Sequence, residues 1–231
     1  ALVALGILVT VIGFVDAGNR GRMAFGYLLA FVFVWSVVLG SLFFVALQHI
    51  TGSVWSVVVR RVAEMFASPM WVVALLFVPI LIVTLVPGDS PLLPWAQAAH
   101  DPHAAENAHE AHLLEVKAPY LNVPFFIVRT AVFFGIWVLF AAFFVRTSLK
   151  QDDGTAGPEA SAKMKSVSAP FIILFAFTVT FASFDWLMSL EPAWFSTIFG
   201  VYVFSGMTLA ALAAVTLAVV WTRTKGWLPQ D

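Results

Sequence analysis

The sequence predicts an all-α integral membrane protein, a polytopic bundle of about six transmembrane helices with one interfacial amphipathic helix. Apolar residues make up 61% of the chain, charged residues only 11%, and the mean hydropathy is +0.94. A soluble domain of 231 residues cannot carry this composition and still present a polar surface. Lipid is therefore the expected solvent for much of the chain.

Six apolar runs approach the roughly 20 residues that a bilayer core demands of a helix. They are residues 2–15, 24–47, 71–86, 124–145, 169–190 and 198–221. Backbone in hydrocarbon must satisfy its own hydrogen bonds, and runs this long and evenly apolar are not typical of barrel strands. We expect six helices, the first shortened because the chain begins at Ala1 inside an apolar run and lacks an amino-terminal segment.

A seventh segment, residues 51–67, has the pattern of an amphipathic helix lying at the membrane interface. Its polar positions recur at spacings of three and four opposite an apolar set. The polar set is Ser53, Ser56, Arg60 and Glu64, and the apolar set is Trp55, Val59, Val62 and Phe66. The spacing of Arg60 and Glu64 allows an i,i+4 ion pair.

Two linkers and the distribution of basic residues predict the orientation. Residues 87–119 hold four of the five histidines, and residues 151–168 are rich in polar and small residues. Alternating spans put eight basic residues on one side, which the positive-inside rule makes cytoplasmic. These are Arg60, Arg61, Arg146, Lys150, Lys163, Lys165, Arg223 and Lys225. We therefore expect the 151–168 loop in the cytoplasm and the histidine-rich loop on the outer side, which in the inner membrane of a bacterium is the periplasm.

Composition and motifs exclude several classes of function. The absence of cysteine excludes iron–sulfur clusters and covalently attached c-type haem within this chain. His49 is the only histidine in any span, so we also expect no b-type haem, which usually needs two axial histidines on helices. A net charge of −1 gives no basic field for nucleic acid. Phosphate-loop, hydrolase and zinc-protease motifs are missing.

The histidine-rich linker contains two H-x-x-H pairs among acidic residues. Its histidines are His100, His103, His109 and His112. Such spacing can bind zinc or nickel, but a histidine-rich tract alone is a compositional signal. We expect a solvated or partner-covered loop and assign no metal.

Four charged residues form a candidate outer site for quinol or protons. Asp185 and Arg129 lie at similar depth in adjacent spans, so they can pair, and Asp16 and Glu191 add carboxylates near the same boundary. One interpretation is a structural ion pair with solvated helix ends. The other is a proton-accepting carboxylate beside a substrate pocket. Asn122 and Tyr120 lie at the mouth of the fourth span, near the same boundary.

A second set of residues suggests a proton path from the cytoplasmic side. His49 closes the second span and is followed by Arg60, Arg61 and Glu64. The pKa of histidine lies close to working pH, so His49 can relay protons, or it can serve as an interfacial hydrogen-bonding group. The 23 Phe and 9 Trp fit lipid-facing bulk, and also the apolar walls of a quinone pocket.

Three segments resemble the ActF family of membrane subunits in bacterial alternative complex III, within the NrfD/polysulfide reductase superfamily. They are GSLFFVALQHITGSVWSVVVRRVAE at 40–64, YLNVPFFIVR at 120–129 and FDWLMSLEPAWFSTIFGVYVF at 184–204. The third is the most specific, being long and unlike a generic hydrophobic span. The resemblance covers residues 2–221 and implies that this chain is an amino-terminal portion of a longer subunit.

The resemblance implies that this chain is a subunit of a respiratory quinol:acceptor oxidoreductase. The subunit is expected to be inactive without the rest of the complex. Its expected partners are a sister NrfD-like subunit, iron–sulfur and multihaem c subunits, lipid and quinol or menaquinol. In this superfamily quinol binds near the outer face of a four-helix bundle, at the depth of Asp185 and Arg129. His49, Arg60, Arg61, Glu64 and Glu191 also lie within the resembling segments.

Two other roles stay open at this point. The chain can be a scaffolding or proton-conducting bundle of the same complex, with quinol bound by the sister subunit. It can also be a small-solute transporter, which should contain inverted repeats or broken helices in matching halves, and no convincing pair occurs.

Overall fold

The computed structural model describes residues 20–85, 92–98 and 108–226, together with Gly6 and Gly13; the side chains of residues 20, 97, 98 and 108–110 are not described. The described part is all-α, without a strand. Five of its helical segments are long and apolar enough to cross a membrane. The protein is therefore a multi-pass membrane protein, as predicted, and the first predicted span (2–15) lies outside the described residues.

Successive long helical segments alternate in direction, and shorter helices lie within or between them. The helices are α1 Arg20–Thr51, α2 Val57–Ala67, α3 Met70–Leu76, α4 Val78–Leu85, α5 Pro94–Ala98, α6 Ala108–Lys117, α7 Val123–Asp152, α8 Glu159–Trp186 and α9 Phe199–Thr224, with a 3₁₀ turn at Met188–Leu190. The long segments are Gly21–Thr51, Val57–Leu85, Val123–Asp152, Glu159–Leu190 and Phe199–Thr224.

The two ends of the bundle differ in charge. The eight basic residues named above all lie at the end where α1, α7 and α9 finish and α2 and α8 begin, which we call the basic end. The other end, where α8 finishes and α7 begins, contains Asp185 and is called the Asp185 end. The eight basic residues therefore lie together at one end of the bundle, as the sequence predicts.

Helix α1 forms the centre of the bundle. In its most apolar stretch 61% of the residues are buried, against 22% for α9, whose other faces are left to lipid or partners. Three tryptophans, Trp35, Trp137 and Trp186, come from α1, α7 and α8 and are at most 2% exposed. Their rings lie 5.3–5.9 Å apart at steep angles, an arrangement that aromatic quadrupoles favour. The core is thus aromatic and ties three spans together.

A glycine allows α1 and α9 to approach closely. A Cβ atom at Gly40 would lie 2.7 Å from both the Ala211 Cβ and the Met207 carbonyl oxygen, closer than real Cβ contacts. Small residues at helix crossings have this role in membranes, where close packing rather than the hydrophobic effect holds helices together.

The helix in the predicted amphipathic segment 51–67 is shorter than expected, and a different face of it meets the bundle. Gly52 adopts φ 64°, which ends α1, and α2 begins only at Val57. Glu64 is 3% exposed whereas Met65 is 68% exposed, so the carboxylate faces the bundle and not water. It does so because it finds polar partners there. After a break at Ser68 and Pro69 the chain continues into α3 and α4, and Val57–Leu85 together is long enough to span.

Both predicted loops contain more helix than expected. Helix α7 runs to Asp152 and α8 starts at Glu159, so the 151–168 loop reduces to residues 153–158, with Gly154 at φ 68°. The described parts of 87–119 include α5 and α6. Hydropathy marks where a helix leaves lipid, whereas good helix formers such as Ala162 and Lys163 extend it into the polar zone.

Candidate functional site

A buried ion pair between α7 and α8 is the main polar feature of the Asp185 end. Arg129 Nε donates to Asp185 Oδ2 at 2.7 Å, and Nη2 donates to Oδ1 at 3.0 Å. Arg129 is 8% exposed and Asp185 is 0% exposed. This two-pronged geometry is the strongest form of a carboxylate–guanidinium contact, and burial makes each charge dependent on the other. The pair considered from the sequence is therefore formed.

Two aromatic rings enclose the guanidinium. Arg129 Cζ lies 3.9 Å from the centroid of the Tyr120 ring and 4.2 Å from that of Phe125. Arg129 Nη1 also donates to the Tyr120 carbonyl oxygen at 2.9 Å. A desolvated guanidinium over aromatic faces gains cation–π attraction in addition to its ion pair. We call Arg129, Asp185, Tyr120 and Phe125 the Asp185 site.

The sequence around the start of α7 and the end of α8 explains where these side chains lie. Asn122 caps α7 by accepting a hydrogen bond from the Phe125 backbone N–H at 3.0 Å, and Pro124 sits at the start of the helix, where a missing N–H costs nothing. The chain preceding α7 therefore turns sharply and brings Tyr120 back over Arg129. On α8, Ser189 donates to the Asp185 carbonyl oxygen at 2.5 Å as the helix gives way to the 3₁₀ turn.

The Tyr120 hydroxyl is buried beside the Asp185 carboxylate, and no hydrogen bond of normal geometry joins it to a partner in the described part of the chain. Burial raises the pKa of this phenol above its ordinary value, and the negative charge and hydrogen-bonding attraction of Asp185 raise it further, with Arg129 opposing. The hydroxyl therefore stays protonated at all working pH values. A protonated phenol that is only weakly held by a carboxylate can donate to a ligand oxygen.

The Asp185 site adjoins lipid on one side and the aromatic core on the other. Phe125 and Phe181, whose rings lie 6.0 and 6.5 Å from the Tyr120 ring, are 43% and 39% exposed on the membrane-facing surface. On the inner side, Trp186 Nε1 donates to Thr130 at 3.4 Å. Phe125 and Phe181 therefore form the exposed edge of the site, whereas Asp185 itself is 0% exposed.

Of the two other predicted outer carboxylates only Glu191 is described, and it does not join the pair. Glu191 is exposed, in the turn after the 3₁₀ helix, and Asp16 lies outside the described residues. Lys117 instead donates to the carbonyl oxygen of Pro192, which ties the end of α6 to this turn. Of the linker histidines only His112 has a described side chain, and it is exposed.

A second polar group, the Glu64 cluster, lies near the basic end. Glu64 Oε2 accepts from Arg61 Nη1 at 2.6 Å and from the Ser148 hydroxyl at 2.7 Å, while Arg60 Nε lies 3.8 Å from Oε1. Arg61 also binds Ser148 at 2.8 Å and pairs with Asp152. The cluster, defined as these five residues, joins α2 to α7 across 84 residues of chain.

His49 lies close to this cluster. Its ring is 6% exposed and stacks on Phe144 with centroids 5.6 Å apart and planes 9° apart. Phe144 is one helical turn before Ser148 on the same helix, so His49 and Glu64 contact neighbouring turns of α7. The His49 Nε2 atom is buried and has no hydrogen-bond partner in the described part of the chain. The four predicted proton-path residues are thus gathered at one end.

The sequence interpretation missed three contributors. Tyr120 was placed only at the mouth of α7, since its stacking depends on the turn before the Asn122 cap. Ser148 and Asp152 were not singled out, although their spacing of four puts both on one face of α7 and gave a usable signal.

Comparisons with known proteins add no family to this description. A scan of the chain against protein-family models gives no match. A search of curated proteins gives no match either. The functional argument therefore depends on the residues and their geometry.

Proposed function

We propose that this chain is a membrane subunit of a respiratory quinol:acceptor oxidoreductase of the alternative complex III type, and that quinol is oxidised at the Asp185 site. The observation that carries this proposal is the buried Arg129–Asp185 pair with the buried Tyr120 hydroxyl beside it. Ionisable groups are costly inside a membrane and are retained where they serve a pathway or a binding site. The resemblance of residues 120–129 and 184–204 to ActF supports the same role.

The proposed chemistry assigns a role to each side chain. A quinol entering from lipid stacks on Phe125 and Phe181, and its hydroxyl groups meet Tyr120 and Asp185. Oxidation of quinol releases two protons and two electrons. Each carboxylate oxygen of Asp185 has a further lone pair beside its bond to Arg129, so Asp185 takes one proton and Arg129 holds the carboxylate in place. The second proton passes to water at the Asp185 end. The electrons leave to redox centres of partner subunits.

In this proposal the protein sits in a bacterial inner membrane with the Asp185 end facing the periplasm. The eight basic residues of the basic end then face the cytoplasm, as the positive-inside rule requires. Electrons released near the periplasmic face can pass to iron–sulfur and multihaem c subunits docked there.

Steady-state quinol oxidation by the purified complex tests this proposal. Asp185→Asn and Arg129→Leu should each lower turnover at least tenfold while the subunit stays in the complex, because each removes a group from the proton-accepting site. Asp153→Asn, an exposed carboxylate at the opposite end, is the matched control and should leave turnover unchanged. Normal turnover in both site variants would remove the Asp185 site from the mechanism.

The identity of the complex needs a separate observation. Multihaem c and iron–sulfur subunits should copurify with the chain in mild detergent. Recovery of a homo-oligomer alone would contradict the oxidoreductase assignment, whatever the effect of the variants.

A proton-conducting subunit is the second candidate, and the buried, unpartnered Nε2 of His49 favours it. In this alternative, His49 and the Glu64 cluster carry protons inward from the basic end. His49→Phe would then slow proton uptake by the complex without affecting quinone binding. Under the first candidate the same variant leaves quinol turnover intact.

A further inference from the structure

A groove at the basic end lies apart from the Asp185 site and is lined on one side by the Glu64 cluster. It is a cavity of about 720 Å³ between α2 and the last turns of α7 and α9. Val58, Met65, Ala218 and Trp221 belong to its apolar wall, and all five residues of the Glu64 cluster line its polar side. We call it the basic groove.

The position of the groove matches the boundary between hydrocarbon and headgroups. Its walls come from the final turns of two membrane-crossing helices, and Trp221 is exposed there, as tryptophans of interfacial belts are. Val58 and Met65 are also exposed apolar side chains. An aliphatic trough at this depth fits a flexible hydrocarbon chain.

Arg60 provides the charge that the groove offers to a ligand. The guanidinium makes no hydrogen bond within the described part of the chain, and its ion pair with Glu64 spans 3.8 Å, too long for one. Arg61, by contrast, is engaged by Glu64, Ser148 and Asp152. The planar fork of Arg60 is thus left to bind an outside acceptor, and a phosphate matches it in shape and charge.

The charges around the groove favour an anion. Within its lining, Arg60 and Arg61 are balanced by Glu64 and Asp152, so the excess of positive charge comes from the wider basic end. Residues 51–67, 146–168 and 223–226 contain eight basic and four acidic residues. A basic patch beside an apolar trough at a membrane surface is the arrangement that recognises anionic lipid headgroups. A quinone offers Arg60 only neutral carbonyl oxygens, whereas a phosphate offers a matching charge.

We propose that the basic groove binds one anionic phospholipid, with its phosphate on Arg60 and one acyl chain along Val58, Met65 and Ala218. The lipid would cover the junction of α2, α7 and α9 and leave the Asp185 site untouched.

Native mass spectrometry of the delipidated full chain, titrated with phosphatidylglycerol, tests the proposal. Arg60→Gln should weaken binding of one lipid about tenfold, the effect of losing a charge-assisted hydrogen bond. The matched control Arg146→Gln, an exposed arginine at the same end outside the groove, should bind as the native protein does. Ala218→Phe, which fills the trough and keeps Arg60, should also weaken binding.

Three outcomes would overturn the proposal. One is equal phosphatidylglycerol binding by the native protein, Arg60→Gln and Ala218→Phe. Another is equal affinity for phosphatidylcholine of the same chain length. The third is full displacement by inorganic phosphate, which would mean that only an ion binds. Size-exclusion profiles verify folding, and if Arg60→Gln fails to fold, Ala218→Phe and Arg60→Lys carry the test, the latter with intermediate affinity.

Discussion

Arg129 holds Asp185 through two parallel hydrogen bonds of 2.7 and 3.0 Å at a point where neither side chain meets water. The two residues are 56 positions apart and come from antiparallel helices, so the pair fixes the relative height of α7 and α8. The ion pair therefore holds α7 against α8 and is also the candidate reaction site.

Removal of one partner should cost more stability than removal of both. Arg129→Leu leaves the Asp185 charge buried without a partner, which costs about 3–5 kcal/mol, whereas the double variant Arg129→Leu with Asp185→Leu should recover most of this loss. Unfolding in detergent of the single and double variants measures the difference. If the double variant is as unstable as the sum of both single variants, the two charges are not coupled.

Tyr120 should make stability depend on pH in the alkaline range. Its pKa is raised by burial and by the charge of Asp185, so the folded state binds the phenolic proton more tightly than the unfolded state. Its contribution is therefore fully present below about pH 10, the unfolded pKa, and is lost as pH rises beyond it.

Thermal unfolding between pH 8 and pH 11 checks this prediction. Tyr120→Phe removes only a weak interaction of the hydroxyl with Asp185, so it should change stability at pH 8 by less than about 1 kcal/mol and should lose less stability at pH 11. Equal alkaline losses in both proteins would contradict the prediction.

The crossing of α1 and α9 should be sensitive to a single methyl group. Gly40→Ala puts a Cβ 2.7 Å from Ala211 and the Met207 carbonyl oxygen, and such overpacking costs about 1–3 kcal/mol. Gly26→Ala on the same helix is the matched control, since nothing lies within 4 Å of its Cβ position. It should be neutral or stabilising by up to about 1 kcal/mol. Comparable losses in both variants, measured by unfolding in detergent, would argue against a close crossing.

Ser148 should matter for stability despite its small size. Its hydroxyl donates to the buried Glu64 carboxylate at 2.7 Å and accepts from Arg61 at 2.8 Å, so Ser148→Ala should cost about 1–3 kcal/mol. Ser166→Ala removes only a bond to its own helix at an exposed position and should change stability by less than about 0.5 kcal/mol. An unchanged unfolding midpoint in Ser148→Ala would show that Arg61 alone satisfies Glu64.

Hydropathy and helical geometry predict the spans and the Arg129–Asp185 pair because both depend on position along an axis. Depth in adjacent antiparallel spans can be counted in residues, and so can the i,i+4 spacing of Arg60 and Glu64. The Tyr120 ring could not be assigned in this way, since the turn before Asn122 sets its position.

The Glu64 cluster shows the same limit. Glu64 and Arg60 are four residues apart on one helix, so their proximity is predictable from the sequence. The shorter contacts of Glu64 are with Arg61 and with Ser148, and Ser148 lies on α7. The rotation of α2 about its axis decides which face meets the bundle. An isolated amphipathic pattern predicts the polar face outward, and the presence of polar partners on α7 reverses this.

Photolabelling with a quinone analogue tests the central claim most directly. In the intact complex, the label should attach to residues 120–129 and 181–189, and Asp185→Asn should reduce it while Asp153→Asn does not. Labels confined to partner subunits or to the basic end, with none on these two segments, would contradict a quinol site at Asp185.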